Sequence, residues 1–313
     1  MYEFIQLGKN TYVLQAPANI GFYCFDNREV CVIDSGINAH MGERILRIIE
    51  EQGWSLKMIL TTHHHADHVG GNAFLQEKTG CKIYSSEVNA VIMQHPLINT
   101  ALVYGGDPYL ELHNKLMMSQ PCECEVLTQD CLPAGFEMRK VGGHSYEMMI
   151  YKTPDDVWFL GDSVLGEEVL QASKVSYVFQ VGEYLKSLAI IETLNASRYV
   201  PSHGSMTSEI GRLVHRNQEA IAVLHKDICK LCVKPISFEK LAQCLFQEYH
   251  MELDMNQYSL YTAALRSHLT YLESEEKVIP RMKKNVLLWE VKSVESSESE
   301  DDRGEHETGS TTR

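Results

Sequence analysis

The chain has 313 residues, 44% hydrophobic and 22% charged, enough apolar material for two domains or for one large domain with an appendage. Lys and Arg number 28 against 42 Asp and Glu, a net charge of −14, which disfavours non-specific nucleic-acid binding as the main activity. No run approaches about 18 consecutive apolar residues, so no membrane span is expected. The N-terminal MYEFIQLGKNTYVLQAP lacks the basic-then-apolar order of a secretory signal, and a cytoplasmic location is the expectation.

The charge is unevenly spread. Residues 1–210 carry a net −11, residues 211–293 a net +2 and residues 294–313 a net −5. The nine cysteines are an odd number in a long chain without a signal, and read as reduced thiols instead of a disulfide framework. Cys229-Lys-Leu-Cys232 has no second pair and lies in a helical pattern, so it reads as packing.

In chain order, residues 11–36 alternate like strands around a turn containing Asn27. MGERILRIIEEQGW then has helical spacing, and SLKMILTT is an apolar strand running straight into a polar stretch. VGGNAFLQEKTG reads as a helix ending at a glycine, and CKIYSS as the next strand. This alternation is that of a sheet covered by helices. Residues 87–120 break the rhythm and read as a helical insertion. Strands are expected again at CECEVLTQD, GFEMRKVGG, MMIYKTPDD and VWFLGDS, followed by the helix GEYLKSLAIIETLNA and the short strand YVPSHG. Residues 211–293 predict three helices and a β-ribbon around a basic turn, a winged-helix-like domain after a catalytic domain spanning 1–210. Residues 294–313, rich in Ser and Glu, predict a disordered acidic tail.

The chemistry concentrates in Thr61-Thr62-His63-His64-His65-Ala66-Asp67-His68-Val69-Gly70-Gly71, between a buried strand and a helix start. In an extended segment side chains alternate, so His63 and His65 point together while His64 points away. Asp67 and His68 fall at the turn into the helix. Four candidate ligands thus come from six residues and aim in two directions, an arrangement that suits two adjacent metal ions better than one.

The H-x-H-x-D-H string resembles the signature of the metallo-β-lactamase fold superfamily, in its dinuclear hydrolase branch. The order of VIDSG (Asp34), GGHS (His144), FLGDS (Asp162) and PSHG (His203) is similar to that family's across residues 12–205. The resemblance implies an α/β fold, an αββα sandwich. It implies that His63, His65 and His144 hold one ion, and that Asp67, His68 and His203 hold the other. Asp162 would bridge the two ions with a hydroxide, making Asp67 and Asp162 the catalytic carboxylates. Two divalent ions are expected, zinc first, with iron or manganese as alternatives. Asp34 would support the metal loop from behind, and His64 would either do the same or stand by. Within the insertion, Tyr104, Asp107 and Tyr109 are the expected substrate contacts.

The superfamily hosts several chemistries. His65 stands where flavodiiron-type proteins carry an acidic residue, which disfavours an oxygen reductase, and the complete second ligand set counts against a single-iron persulfide dioxygenase. The reading is therefore hydrolysis of a small ester or thioester, similar to hydroxyacylglutathione hydrolase (glyoxalase II), although no basic glutathione-binding residues are recognisable. An endoribonuclease of the same fold is the alternative, with Arg281, Lys283 and Lys284 in the wing reaching phosphates. A scaffold protein with a vestigial site, dimerising through its C-terminal segment, is the third reading, and the intact ligand set argues against it.

Overall fold

The structure, a computed structural model, describes residues 2–292. The acidic segment 294–313 lies outside the described residues. The chain opens with antiparallel strands β1 (Glu3–Gln6), β2 (Thr11–Gln15), β3 (Ile20–Cys24) and β4 (Glu29–Ile33). Helix α1 (Ala39–Glu51) leads to β5 (Ser55–Leu60), α2 (Ala66–Val69), α3 (Asn72–Thr79) and β6 (Lys82–Ser85). The insertion supplies α4 (Glu87–Gln94), α5 (Leu97–Tyr104) and a 3-10 turn at Leu110–Leu112 before β7 (Glu125–Val126). Strands β8 (Glu137–Val141), β9 (Met148–Thr153) and β10 (Val157–Gly161) follow, then α6 (Glu167–Ala172), α7 (Val181–Glu192) and β11 (Arg198–Pro201).

These strands form a seven-stranded sheet ordered β1 to β7 and a four-stranded sheet ordered β11-β10-β9-β8. Period-two side-chain alternation makes them a sandwich. Val30, Val32, Ile59 and Ile83 pack outward against α1 and α3, in a core that includes Ile45, Ile49 and Leu75. Their sequence neighbours Cys31, Ile33, Met58, Leu60 and Tyr84 point the other way, meeting Met149, Tyr151, Val157 and Phe159 of the second sheet. On that sheet's far face, Met148, Ile150, Trp158 and Leu160 pack with Tyr184, Leu188 and Val214 of the helical layer. The order of layers is helix, sheet, sheet, helix, as the resemblance implied. Strands such as Val157–Gly161 are buried on both faces, which is why they read as continuous apolar runs in the sequence.

Three expectations needed correction. β1 lies before the first strand expected, because an edge strand of mixed exposure carries little apolar signal. CECEVLTQD contributes only the two residues of β7, since Cys122 and Cys124 turn into the core as loop residues instead of alternating along a ladder. In the insertion, the α-helix in ALVYGGDPYLELHNKLMM stops at Tyr104, where Gly105 adopts the left-handed conformation that ends a helix, and the rest is irregular apart from the 3-10 turn at Leu110–Leu112.

The C-terminal part comprises α8 (Ile210–Leu231), β12 (Ile236–Ser237), α9 (Phe238–Glu248), α10 (Met255–Ser274), β13 (Val278–Lys283) and β14 (Val286–Val291). β13 and β14 form an antiparallel hairpin whose turn residues, Lys284 and Asn285, both have positive φ, as a two-residue primed turn requires. The start of α10 carries a full capping box between Asp254 and Gln257, which satisfies two otherwise unpaired backbone donors. α10 packs against α5 and α7, so the C-terminal helices reach the insertion and the second sheet's helical layer.

Between α8 and α10, His225 Nε2 lies 2.9 Å from His268 Nδ1, with both rings buried. Burial pushes His225 down to about 4 and His268 down to about 3. With folded values below the ordinary value of about 6.5, the unfolded chain binds more protons, so this stabilisation is complete above pH ~6.5 and is lost as pH falls toward the folded values. His268→Gln is expected to flatten the acid limb of the stability profile by about 2–4 kcal/mol between pH 7 and pH 4, read from denaturant midpoints. A variant profile parallel to the wild type would refute this assignment.

Candidate metal centre

The centre is assembled from the segments that follow four strands, β5, β8, β10 and β11. Past β5 the chain runs outside helix and strand through Thr61–His65, with a bend at Thr62, and His65 is the extended residue preceding α2. The rings of His63 and His65 turn toward each other, with Nε2 of His63 2.9 Å from Nδ1 of His65. His144 enters from the loop after β8, its Nε2 also 2.9 Å from His65 Nδ1. Asp67 and His68 come from α2, Asp162 follows β10, and His203 follows β11. Donor atoms gather in three sets, each with all members within 4.8 Å: His63, His65 and His144; His63, His68 and Asp162; and Asp67, His68 and His203. All seven candidate ligands are thus brought together. Asp162 stands between the outer sets, with Oδ1 3.3 Å from His68 Nε2 and Oδ2 3.3 Å from His144 Nε2 and 3.4 Å from His203 Nε2.

The backbone makes this convergence possible at two glycines. Gly143 has φ +104, and a Cβ there would lie 2.2 Å from the Tyr184 nitrogen, so only glycine lets the His144 loop sit on α7. A Cβ on Gly70 would lie 2.1 Å from the Ile37 carbonyl carbon, so glycine there allows the end of α2 to press on the loop after β4.

The outward nitrogens of the rings set their tautomers. Asp34, at φ +62, accepts from the Thr62 backbone N–H and hydroxyl at 2.7 Å and from His68 Nδ1 at 2.9 Å. Thr62 Oγ1, having donated to Asp34, is free to accept from His63 Nδ1 at 3.1 Å. His144 Nδ1 faces the Tyr177 carbonyl at 3.0 Å, and His203 Nδ1 faces the Pro17 carbonyl at 2.6 Å. For His63, His68, His144 and His203 the outer Nδ1 thus has an acceptor and Nε2 is the nitrogen aimed inward, whereas His65 turns its Nδ1 inward.

Charge divides the cluster. Burial drives His63 and His65 well below the ordinary histidine value, and burial together with the His68 charge lowers His144. These rings are neutral and ready to coordinate. Burial opposes the charge on Asp162, but His203, His68 and His144 outweigh it and hold the carboxyl well below its usual range. Burial likewise opposes the charge on Asp67, while His68 and His203 hold it anionic. In return, burial notwithstanding, Asp162 and Asp67 raise His68 well above its ordinary value and His203 to about 10.

The donor set fits divalent metal. His68 Nε2 and Asp162 Oδ1 are buried with no hydrogen-bond partner, which is costly unless something else satisfies them. Imidazole and carboxylate donors at these positions match the preferences of zinc and related first-row ions.

His64 is not behind the ligands. Its Nδ1 lies 2.7 Å from Asn89 Oδ1 and its Nε2 3.2 Å from Asn99 Oδ1, so it ties the metal loop to α4 and α5. Nor do Tyr104, Asp107 and Tyr109 line the cavity at the centre. Tyr104 and Tyr109 pack edge to face, and the Tyr109 hydroxyl is 3.5 Å from that of Ser259, bracing the insertion against α10 while Asp107 is exposed. The cavity, of about 330 Å³, is lined instead by Asn99, Val103 and Met117 of the insertion, by Tyr177, and by Asn256 and Leu260 of α10, beside Asp67 and Asp162. The insertion was expected to shape this pocket and supplies Asn99, Val103 and Met117, whereas Tyr177, Asn256 and Leu260 carry no motif and join it only through tertiary packing.

A helix-covered double sheet with a two-part His/Asp centre at its strand ends defines a hydrolase architecture. The chain belongs to the metallo-beta-lactamase superfamily, which residues 14–203 match. It is 24% identical over 298 residues to the "Beta-lactamase-like protein 2 homolog" of Drosophila melanogaster, spanning 87% of this chain and 84% of that protein. It is 35% identical over 91 residues to a hydroxyacylglutathione hydrolase of Rhodopseudomonas palustris (strain BisB18), covering 28% of this chain and 32% of that enzyme. The chain therefore matches about a third of the length of that relative. The crystal structure of a beta-lactamase domain protein from Burkholderia ambifaria superposes with a TM-score of 0.72 at 18% identity, covering 92% of this chain and 93% of that one.

Proposed function

We propose that this metallo-hydrolase works with two divalent ions, zinc in the first instance, and cleaves small esters or thioesters. His63, His65 and His144 would hold one ion, Asp67, His68 and His203 the other, and Asp162 would face both. When bound, such ions supply a nucleophile at neutral pH by lowering the pKa of water to roughly 7, and they polarise a carbonyl. The side chains do the rest. Asp67 lines the cavity and is held anionic, so it accepts a hydrogen bond from the attacking water and orients it. Asp34 keeps His68 and Thr62 in register. Met117 and Leu260 exclude water from the reacting carbonyl.

The observation that carries this reading is the lining of the cavity: apart from the site's own groups it consists of apolar side chains, amides, Tyr177 and Asp254 and, among the described residues, no lysine or arginine. A phosphodiester backbone draws its affinity from cations. Arg281 of the hairpin is paired with Glu290, and Arg281, Lys283 and Lys284 line neither this cavity nor its neighbour. The lack of cations also separates the thioester from the glutathione moiety of the R. palustris enzyme's name, because glutathione carries two carboxylates for which the lining offers no partner.

The test is a side-by-side assay of acyl thioesters, esters, lactones and single-stranded RNA with metal-loaded protein at low salt. The expected result is metal-dependent ester or thioester turnover with little salt dependence. RNA cleavage that falls steeply with added salt, beside negligible acyl hydrolysis, would overturn the reading in favour of a nuclease.

A further inference from the structure

A second cavity, of about 490 Å³, lies against the first and shares His65, Asn99 and Tyr177 with it. Its volume falls within the roughly 300–1,000 Å³ of small-molecule sites. Helix α5 explains its character, because the helix is inside out. Asn99, Thr100 and Val103 are its buried residues, whereas Leu97, Ile98 and Leu102 are exposed. The polar pair is buried without penalty because Asn99 Nδ2 and Thr100 Oγ1 both donate to the Met117 carbonyl, at 3.0 and 3.2 Å. Ile98 and Leu102, four apart on one helical face, are thereby left facing the cavity.

Helix α4 presents a matching stripe, Val88, Val91 and Ile92, to the same space. Tyr146 and Phe179 close the far side. Val91, Leu102 and Tyr146 are 49%, 53% and 54% exposed, a contiguous apolar surface of the kind that marks a binding site. The polar part of the wall offers little. Both His64 nitrogens already face the amides of Asn89 and Asn99, Glu87 is the one carboxylate, and no lysine or arginine lines the cavity among the described residues.

Building on the hydrolase reading above, we propose that this second cavity receives the hydrocarbon chain of the substrate's acyl group, so that the preferred substrates are medium-chain acyl esters or thioesters. The three shared residues are the passage. A carbonyl placed beside Asp67 and Asp162 sends its chain past Tyr177 and Asn99 into the space between α4 and α5. A chain of roughly six to ten carbons suits a cavity in this size range, and each methylene taken out of water there strengthens binding about fourfold. Anionic acyl groups are rejected because the wall carries the Glu87 carboxylate and, among the described residues, no lysine or arginine to replace their hydration.

Two measurements on the metal-loaded protein test this. In the first, kcat/KM is determined for p-nitrophenyl esters from acetate to decanoate. It is expected to climb about fourfold per methylene and then level off, and the climb is expected to flatten in Leu102→Trp and in Val91→Trp, which fill the cavity from half-exposed positions. The second needs no catalysis: calorimetric titration with 1-butanol, 1-hexanol and 1-octanol. Affinity is expected to rise by the same factor per methylene and to be lost in both variants. Alcohol binding that follows this pattern without turnover of any ester upholds the chain site and sinks the hydrolase reading alone. Ester turnover indifferent to chain length, alcohol affinity indifferent to length or to both substitutions, or a dimer in sedimentation that Leu102→Asp dissociates, overturns the chain site whatever the esterase activity.

Discussion

Asp162→Ala should strip metal from both halves of the centre, not from one. Its two oxygens lie 3.3 Å from His68 and His144 and 3.4 Å from His203, so the carboxylate faces members of both outer donor sets. Removing it deletes a ligand and the anion that compensates two divalent charges. The loss of turnover should exceed the ~10–100-fold typical of an outer partner, and elemental analysis should return well under one ion per chain. The fold should survive, since Asp162 takes no part in the apolar clusters that join the sheets; circular dichroism checks this. One ion still tightly held by a folded Asp162→Ala protein would refute the bridging role.

The paired substitution of His65 and His64 separates two neighbours with opposite duties. His65 Nδ1 sits 2.9 Å from both His63 Nε2 and His144 Nε2, so His65→Ala should abolish binding at that set and reduce activity beyond the range just given. His64 touches no candidate ligand through a hydrogen bond; it holds Asn89 and Asn99. His64 is neutral and has one N–H to give, so His64→Ala leaves one buried amide oxygen without its donor, at a cost of about 1–3 kcal/mol where no water enters. It should therefore lower the melting temperature and disturb the α4–α5 wall while retaining metal. Equal metal loss in the two variants would contradict the division of roles.

Much of the centre was legible in the sequence because the H-x-H-x-D-H string and the motifs that follow it resemble a family's pattern in order, and the later motifs stand where strands end, which is marked locally. An apolar run stops, and a polar residue sits beside a glycine, as in GGHS, FLGDS and PSHG. Alternation in an extended segment was enough to send His63 and His65 one way and His64 the other. The same alternation, read along the paired strands, separates the helix-facing residues Val30 and Val32 from Cys31 and Ile33 between the sheets.

The substrate side was not legible by that route. Tyr104 and Tyr109 looked suited to recognition by composition, yet their rings serve the packing of the insertion. Asn99 and Thr100 carry no motif, and an apolar stripe such as Ile98 and Leu102 reads as core in any helix.

What the sequence by itself determined was therefore the layered fold and the inventory of ligand types, since periodicity and strand termini are properties of neighbouring residues. What only the tertiary structure decided was which side of α5 faces outward and which residues wall the cavities. Those depend on contacts such as Asn99 to Met117 and on α10 packing against α5. Contacts between segments far apart in sequence are set by the balance of burial and hydrogen bonding across the whole chain, and no local pattern records that balance.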